Sequence, residues 1–153
     1  DYPILQPKSQ GIAKEWPLEK YISLTKELVA LGETVVFTGT DAEGKHFRDQ
    51  LPVNGKVIDT TGKLTLEQLM VLIYGAKNLV ACSTGPLHIA GFYGVNAIGL
   101  FSPKRPIHPG RWKALGTKAI ALVFDPKCEM CAKRKPCSCI EKITVEAVLE
   151  KIS

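Results

Sequence analysis

Three stretches of the chain carry residues whose types and spacing suit chemistry. In the first, Ser83, Thr84, Gly85, Pro86, Leu87 and His88 follow the apolar run Leu79, Val80, Ala81, Cys82. A strand that turns straight into a helix aims free backbone N–H groups and the positive end of the helix dipole at whatever lies beyond it, and a phosphate suits that position. Ser83 or Thr84 caps the helix, Gly85 lets a ligand approach the backbone, and His88 lies one turn inside. Taken alone, these residues fit equally well a plain helix cap beside a hydrogen-bonded core histidine.

The second stretch is Cys128-x2-Cys131-x5-Cys137-x-Cys139, which holds four of the five cysteines. A leading C-x-x-C with two further thiols is compatible with structural zinc, and Lys127, Lys133, Arg134 and Lys135 favour thiolates. The closing C-x-C is cramped and is not a ribbon spacing, so free thiols or a local disulfide stand beside zinc as alternatives. Five cysteines without a signal peptide suit a reducing compartment. Cys82, at the end of its apolar run, reads as core. In the third stretch, the Pro- and Gly-rich loop 102–118, Arg105, His108, Arg111 and Trp112 are candidates to reach a bound ligand. The plainer alternative is that Trp112 packs the loop down and the basic residues are solvated.

Elements able to position these residues follow from periodicity. Short β-rich runs at 2–6, 33–38, 56–58, 78–82, 96–101 and 119–124 alternate with helical patterns, and the alternation predicts an α/β fold: a Rossmann-like parallel sheet with helices on both faces. Pro17 serves as a first helical residue, Leu18, Ile22, Thr25, Leu28 and Val29 recur at helical spacing, and Gly32 closes that helix. Thr65 caps a second, with Leu66, Leu69, Met70 and Ile73 on one face. A third helix opens at 83–85 and is closed by Gly94, and a last one runs from Thr144 to Ile152. No internal repeat is visible.

The chain of 153 residues, 45% of them apolar, suits one ordinary core. Its net charge of +5 is local, because residues 104–142 hold ten Lys/Arg against three Asp/Glu. That excess suits a nucleotide diphosphate, a phosphorylated glycolipid or an anionic membrane face. No aromatics are interleaved with the charges, so nucleic acid is not expected. The first strand lacks a following G-x-G-x-x-G, which weighs against a dinucleotide dehydrogenase. No apolar run approaches a membrane span, and the start at Asp1-Tyr2-Pro3 reads as mid-protein, which leads us to expect a piece of a longer chain.

The string S-T-G-P-L-H-I-A-G-F-Y-G, followed by I-G-L-F-S-P and R-W-K-A-L-G, resembles the C-terminal domain of the glycosyltransferase family that contains the lipopolysaccharide heptosyltransferases. K-S-Q-G-I-A-K-E-W-P at 8–17 is similar to the family's loop after the first strand, and G-T-D-A-E at 39–43 to its Gly-x-x-x-Glu. The resemblance covers nearly the whole chain, and the cysteine-rich tail is similar to that of many members. It implies one half of a GT-B fold: residues 1–153 as the donor-binding domain, the cysteine loop 125–139 included and the N-terminal acceptor domain absent. It further implies Ser9 and Lys14 as phosphate ligands, Glu43 as acceptor for ribose hydroxyls, Leu64 as an apolar wall for the base, and Ser83, Thr84, Gly85 and His88 around the diphosphate. Ser83 stands where the heptosyltransferases carry aspartate facing the sugar, so the sugar is left open.

The expected function is therefore a glycosyltransferase domain that binds ADP-heptose or a similar nucleotide sugar for inverting transfer to lipopolysaccharide core or a related glycan. No cofactor is required beyond that donor, no catalytic residue lies in these residues, and the base belongs to the N-terminal domain. The expected partners are the nucleotide sugar, a glycolipid or glycan acceptor, and that N-terminal domain. The expected place is the cytoplasm, with a peripheral contact at the inner membrane. The competing expectations are a non-catalytic nucleotide-binding module and a zinc-stabilised interaction domain built on Cys128, Cys131, Cys137 and Cys139. Metal analysis of the purified chain separates the last: a zinc content below one per chain removes it, and one zinc per chain, lost on alkylation of the thiols, upholds it.

Overall fold

The computed structural model describes residues 2–8, 15–82, 85–101, 118–123, 127, 129 and 139–152. Its strands are β1 (Pro3–Gln6), β2 (Val35–Phe37), β3 (Val57–Asp59), β4 (Asn78–Ala81), β5 (Asn96–Leu100) and β6 (Ile120–Leu122). The helices are α1 (Leu18–Ala30), α2 (Asp41–Gly44), α3 (Leu66–Tyr74), α4 (Gly85–Phe92) and α5 (Val145–Leu149), with 3-10 turns at Arg48–Gln50 and Ile140–Lys142.

The strands form one sheet in the order β3-β2-β1-β4-β5-β6, and every neighbouring pair is parallel. Buried strands of this kind need apolar residues on both faces, and the side-chain alternation supplies two cores. Leu5, Val35, Phe37, Val80, Ile98 and Leu100 point to one face, where they meet Trp16, Tyr21, Leu24 and Leu28 of the α1 segment and Val148 of α5. Ile4, Val36, Leu79, Ala81 and Ala97 point to the other, against Ile73 of α3 and Leu87 and Ala90 of α4.

Several local expectations are met and others shift. Gly32 closes α1 with a positive φ of 88°, donating to Val29 O while Glu33 donates to Leu28 O, the paired bonds of a Schellman cap. Gly94 closes α4 in the same way, through bonds to Gly91 O and from Val95 to Ala90 O. Thr65 caps α3 in a reciprocal box with Gln68. Pro17, expected inside the first helix, sits just ahead of it as the cap residue. Leu66, expected on the buried face of α3, is exposed, because the helix turns Ile73, with Leu69 and Leu72 beside it, towards the sheet instead. The last helix is shorter than expected, since Thr144 caps it but it ends at Leu149. Neither α2 nor the turn at 48–50 was anticipated.

The amino edge of the sheet is sealed. Asn96 Nδ2 donates to Asn78 Oδ1 (2.5 Å) and to Lys151 O (2.7 Å), which ties β4, β5 and the chain beyond α5 together. With Leu79 fully buried and Leu31 73% exposed, the two substitutions separate core from surface. Leu79→Ala is expected to lower unfolding free energy by about 2–5 kcal/mol, and Leu31→Ala to change it by less than about 0.5 kcal/mol, both read by urea denaturation.

Candidate functional site

Strand order reverses between β1 and β4, so the connections leaving their carboxyl ends diverge to opposite faces and open a crevice. The site residues anticipated from sequence fall on connections that leave this carboxyl edge. Residues 8–17 follow β1, Glu43 follows β2, Leu64 follows β3, and 83–88 follow β4. Ser9, Lys14, Ser83 and Thr84 lie outside the described residues, as do loop 102–117 and Cys128, Cys131 and Cys137.

On the β4 side, Gly85 begins α4 and is exposed, and a Cβ placed on it would meet nothing within 4 Å. Neither packing nor backbone conformation demands glycine there, so its missing side chain leaves open space beside the helix end. His88 is half-buried, and no described residue hydrogen-bonds its imidazole.

On the β1 side, the segment 9–14 is bracketed by an ion pair between Lys8 and Glu15 (3.3 Å), and Trp16 anchors its far end. The Trp16 ring is 1% exposed, meets the Tyr21 ring edge-on at 4.9 Å, and donates its Nε1–H to Ile143 O (2.9 Å). The Trp16 backbone N–H donates to Cys82 Sγ (3.4 Å), and the Tyr21 hydroxyl lies 3.9 Å from the same sulfur. Lys20 Nζ also donates to the carbonyls of Glu141 and Ile143, the latter at 3.0 Å. The residues that follow Lys14 are thus fixed to the last residue before 83–84 and to the end of the cysteine segment. Cys139 is buried at the start of the turn 140–142, and among the described residues no cluster of three or more His, Cys, Asp or Glu could hold a metal.

At the ends of β2 and β3, Glu43 is buried and its carboxylate has a structural task. Its Oε1 accepts from Thr40 N (2.8 Å) while its own N–H donates to Thr40 Oγ1 (3.1 Å), a capping box for α2. Leu64 is 36% exposed, so it is not a buried core residue. Behind these two residues lies an ionic network that sequence reasoning missed. Arg48 donates to Asp59 Oδ2 (2.8 Å), Asp41 Oδ1 (3.0 Å) and Thr61 Oγ1 (2.8 Å), and Thr61 Oγ1 donates to Asp59 Oδ1 (2.6 Å). The hydrogen bond from Arg48 and nearby Lys45 hold the Asp41 carboxyl below its usual value. Burial pushes Asp59 up, but hydrogen bonds from Thr61 and Arg48 outweigh that and leave it lowered. A second missed feature is the buried pair Thr38 and Gln6, where Thr38 Oγ1 donates to Gln6 Oε1 (3.0 Å) across the carboxyl ends of β2 and β1. The only available signal for it was a polar residue ending each of two apolar runs.

Comparison with known proteins bears on this arrangement. The family profile described as glycosyltransferase family 9 (heptosyltransferase) matches residues 1–141. Lipopolysaccharide heptosyltransferase 2 of Salmonella typhimurium is 29% identical over 101 residues, covering 63% of this chain and 29% of that protein. Its Escherichia coli counterpart is 27% identical over the same shares. The chain thus spans about 29% of the length of these curated relatives. Among solved structures, E. coli ADP-heptose lipopolysaccharide heptosyltransferase II has a similar fold, with a TM-score of 0.79 at 24% identity over 98% of this chain and 44% of that one. An E. coli heptosyltransferase solved with ADP has a TM-score of 0.77 at 19% identity over 97% and 42%. A Veillonella parvula glycosyl transferase of family 9 has a TM-score of 0.78 at 24% identity over 99% and 44%.

Burial raises the Cys82 thiol from its ordinary 9.0 to about 11, against the lowering effect of its bonds from Trp16 and Tyr21. A raised pKa means that the folded state keeps a proton which the unfolded chain gives up first. The stability held by Cys82 is therefore intact below pH 9 and lost as pH rises through 11. Urea denaturation from pH 8 to 11 should show a decline steeper than that of Cys82→Ala by about 2 kcal/mol. Parallel curves would show that the thiol is not held protonated.

Proposed function

The chain belongs to glycosyltransferase family 9, and from that premise we propose that its 153 residues form the donor half of a two-domain transferase that moves a sugar from a nucleoside diphosphate carrier. The observation that carries this reading is the reversal of strand order between β1 and β4, with Gly85 and His88 on the connection that leaves β4, and Glu43 and Leu64 on those that leave β2 and β3. In this reading the N–H groups at the start of α4, the exposed Gly85, Thr84, and His88, whose imidazole no described residue bonds, take the diphosphate together with Ser9 and Lys14. Glu43 accepts from the ribose hydroxyls, and Leu64 offers its exposed side chain to the base. A lysine and a helix N-terminus stabilise the charge that develops on the departing nucleoside diphosphate, so binding and leaving-group activation use the same groups.

ADP is the favoured nucleotide, because the structural neighbours named above include one solved with ADP and one described as acting with ADP-heptose. Ser83 in place of the family's aspartate leaves the sugar undetermined. Inverting displacement needs a base on the acceptor side, and we assign that base, the acceptor glycolipid or glycan, and any contact with the inner membrane to the other half of a cytoplasmic protein. Zinc at the cysteine segment has no part in this mechanism.

Calorimetry of the chain with ADP, UDP and GDP is the direct test. One diphosphate should bind at least about tenfold more tightly than the others, a gap of about 1.4 kcal/mol. Lys14→Ala and His88→Ala should each remove most of that preference's affinity. The chain alone should not transfer sugar from a donor to a glycan acceptor. Equal and weak binding of all three nucleotides would overturn the donor-site assignment, and measurable transfer would overturn the placement of the base elsewhere.

A further inference from the structure

The ionic network around Arg48 joins two connections that leave different strands. Its guanidinium reaches Asp41, in the first turn of α2, and Asp59 and Thr61, at the end of β3, with three donor contacts of 2.8–3.0 Å. Glu43 lies two residues beyond Asp41, and Leu64 lies two residues beyond Gly62. The two connections are in direct contact. Gly62 N–H donates to Gly39 O (3.1 Å), and a Cβ on Gly62, whose φ is +72°, would stand 2.5 Å from Asp41 Cβ. A Cβ on Gly44 would stand 2.2 Å from Thr61 Oγ1 and 2.6 Å from the Arg48 guanidinium. No room is left between them for a different residue or a different spacing.

We propose that Arg48 is a positioning residue for nucleotide recognition: it holds the α2 turn that carries Glu43 and the loop that carries Leu64 at one separation, without touching the nucleotide. This rests on the donor-site reading above, in which those two residues meet the ribose and the base. Arginine is the residue type the task requires. Its rigid planar fork serves three acceptors at once, whereas a lysine ammonium on a flexible stem settles on one of them. The guanidinium also offsets the charge of two carboxylates on the connections that carry Glu43 and Leu64. That second effect depends on charge alone, and Arg48→Lys separates it from positioning.

The experiment uses the chain as it stands, with ADP and inorganic pyrophosphate as probes and NMR titration to read affinities into the millimolar range. Pyrophosphate reports the phosphate end only. If Arg48 positions the nucleoside end, Arg48→Lys weakens ADP about tenfold, the scale of one or two lost hydrogen bonds, and leaves pyrophosphate within about twofold. In a Glu43→Gln background the same change costs ADP clearly less than in the parent, because one of the two positioned residues is already disabled. Three results overturn the proposal while leaving the donor site standing: Arg48→Lys binding ADP as tightly as the parent, equal losses for ADP and pyrophosphate, and additive losses in the double variant. A parent chain that binds no nucleoside diphosphate overturns the donor-site reading itself, and this proposal with it.

Discussion

The pairing of β1 with β4 is the constraint from which the rest of the molecule follows. The two strands run side by side in register, Pro3 with Asn78 through to Gln6 with Ala81, although two strands and three helices lie between them in sequence. From β1 the chain moves outward one way to β2, and from β4 the other way to β5. Crossovers between parallel strands are right-handed almost without exception, so opposite directions of travel put α1 and α4 on opposite faces. Their starting loops must then part company. The crevice is a consequence of topology, and side chains only decide what it holds.

Loops that bind a charged ligand have to be accessible, which deprives them of the packing that would hold them still. The described residues show the remedy on the β1 side. Trp16 is buried to its indole nitrogen, its backbone is bonded to Cys82, and Lys20 is bonded to the carbonyls of 141 and 143. The 9–14 segment is thus anchored at its exit to the strand that precedes 83–84. On the β2 and β3 side the remedy is ionic, through Arg48, and glycine at 44 and 62 permits the close approach. An apolar anchor braces the β1 connection and a polar one the β2 and β3 connections.

The sheet, its parallel character and the two covered faces were legible because buried strands and amphipathic helices leave strong periodic signals, as in Leu79 to Cys82 or Leu18 to Val29. The carboxyl-edge location of Gly85, His88, Glu43 and Leu64 was legible once strand-to-helix turns were placed. What escaped depends on residues brought together by folding. Tyr21 and Leu24 are buried although the pattern favoured their neighbours, because α1 faces both the sheet and α5, and only the sheet is inferable from spacing. Leu66 is apolar yet exposed, so its type carried no information about its position. Arg48 meets an acid seven residues upstream, an acid eleven downstream and a threonine thirteen downstream, and these partners lie in separate elements that only the folded chain brings together.

Glu43 shows how a structural and a functional reading can both hold for one side chain. Thr40-Asp41-Ala42-Glu43 carries the S/T-x-x-E signature of a capping box, and the box is formed. This binding of Oε1 does not remove the residue from ligand recognition, because a carboxylate has two oxygens and Oε2 takes no part in the box. The cap fixes the rotamer, and burial against Gly39 and Thr40 removes alternative ones. A carboxylate so held loses little further freedom when a ribose diol arrives, whereas a free surface glutamate would lose up to about 2 kcal/mol of side-chain entropy. In the proposed reading, the box that accounts for the residue structurally is therefore also what would prepare it as an acceptor.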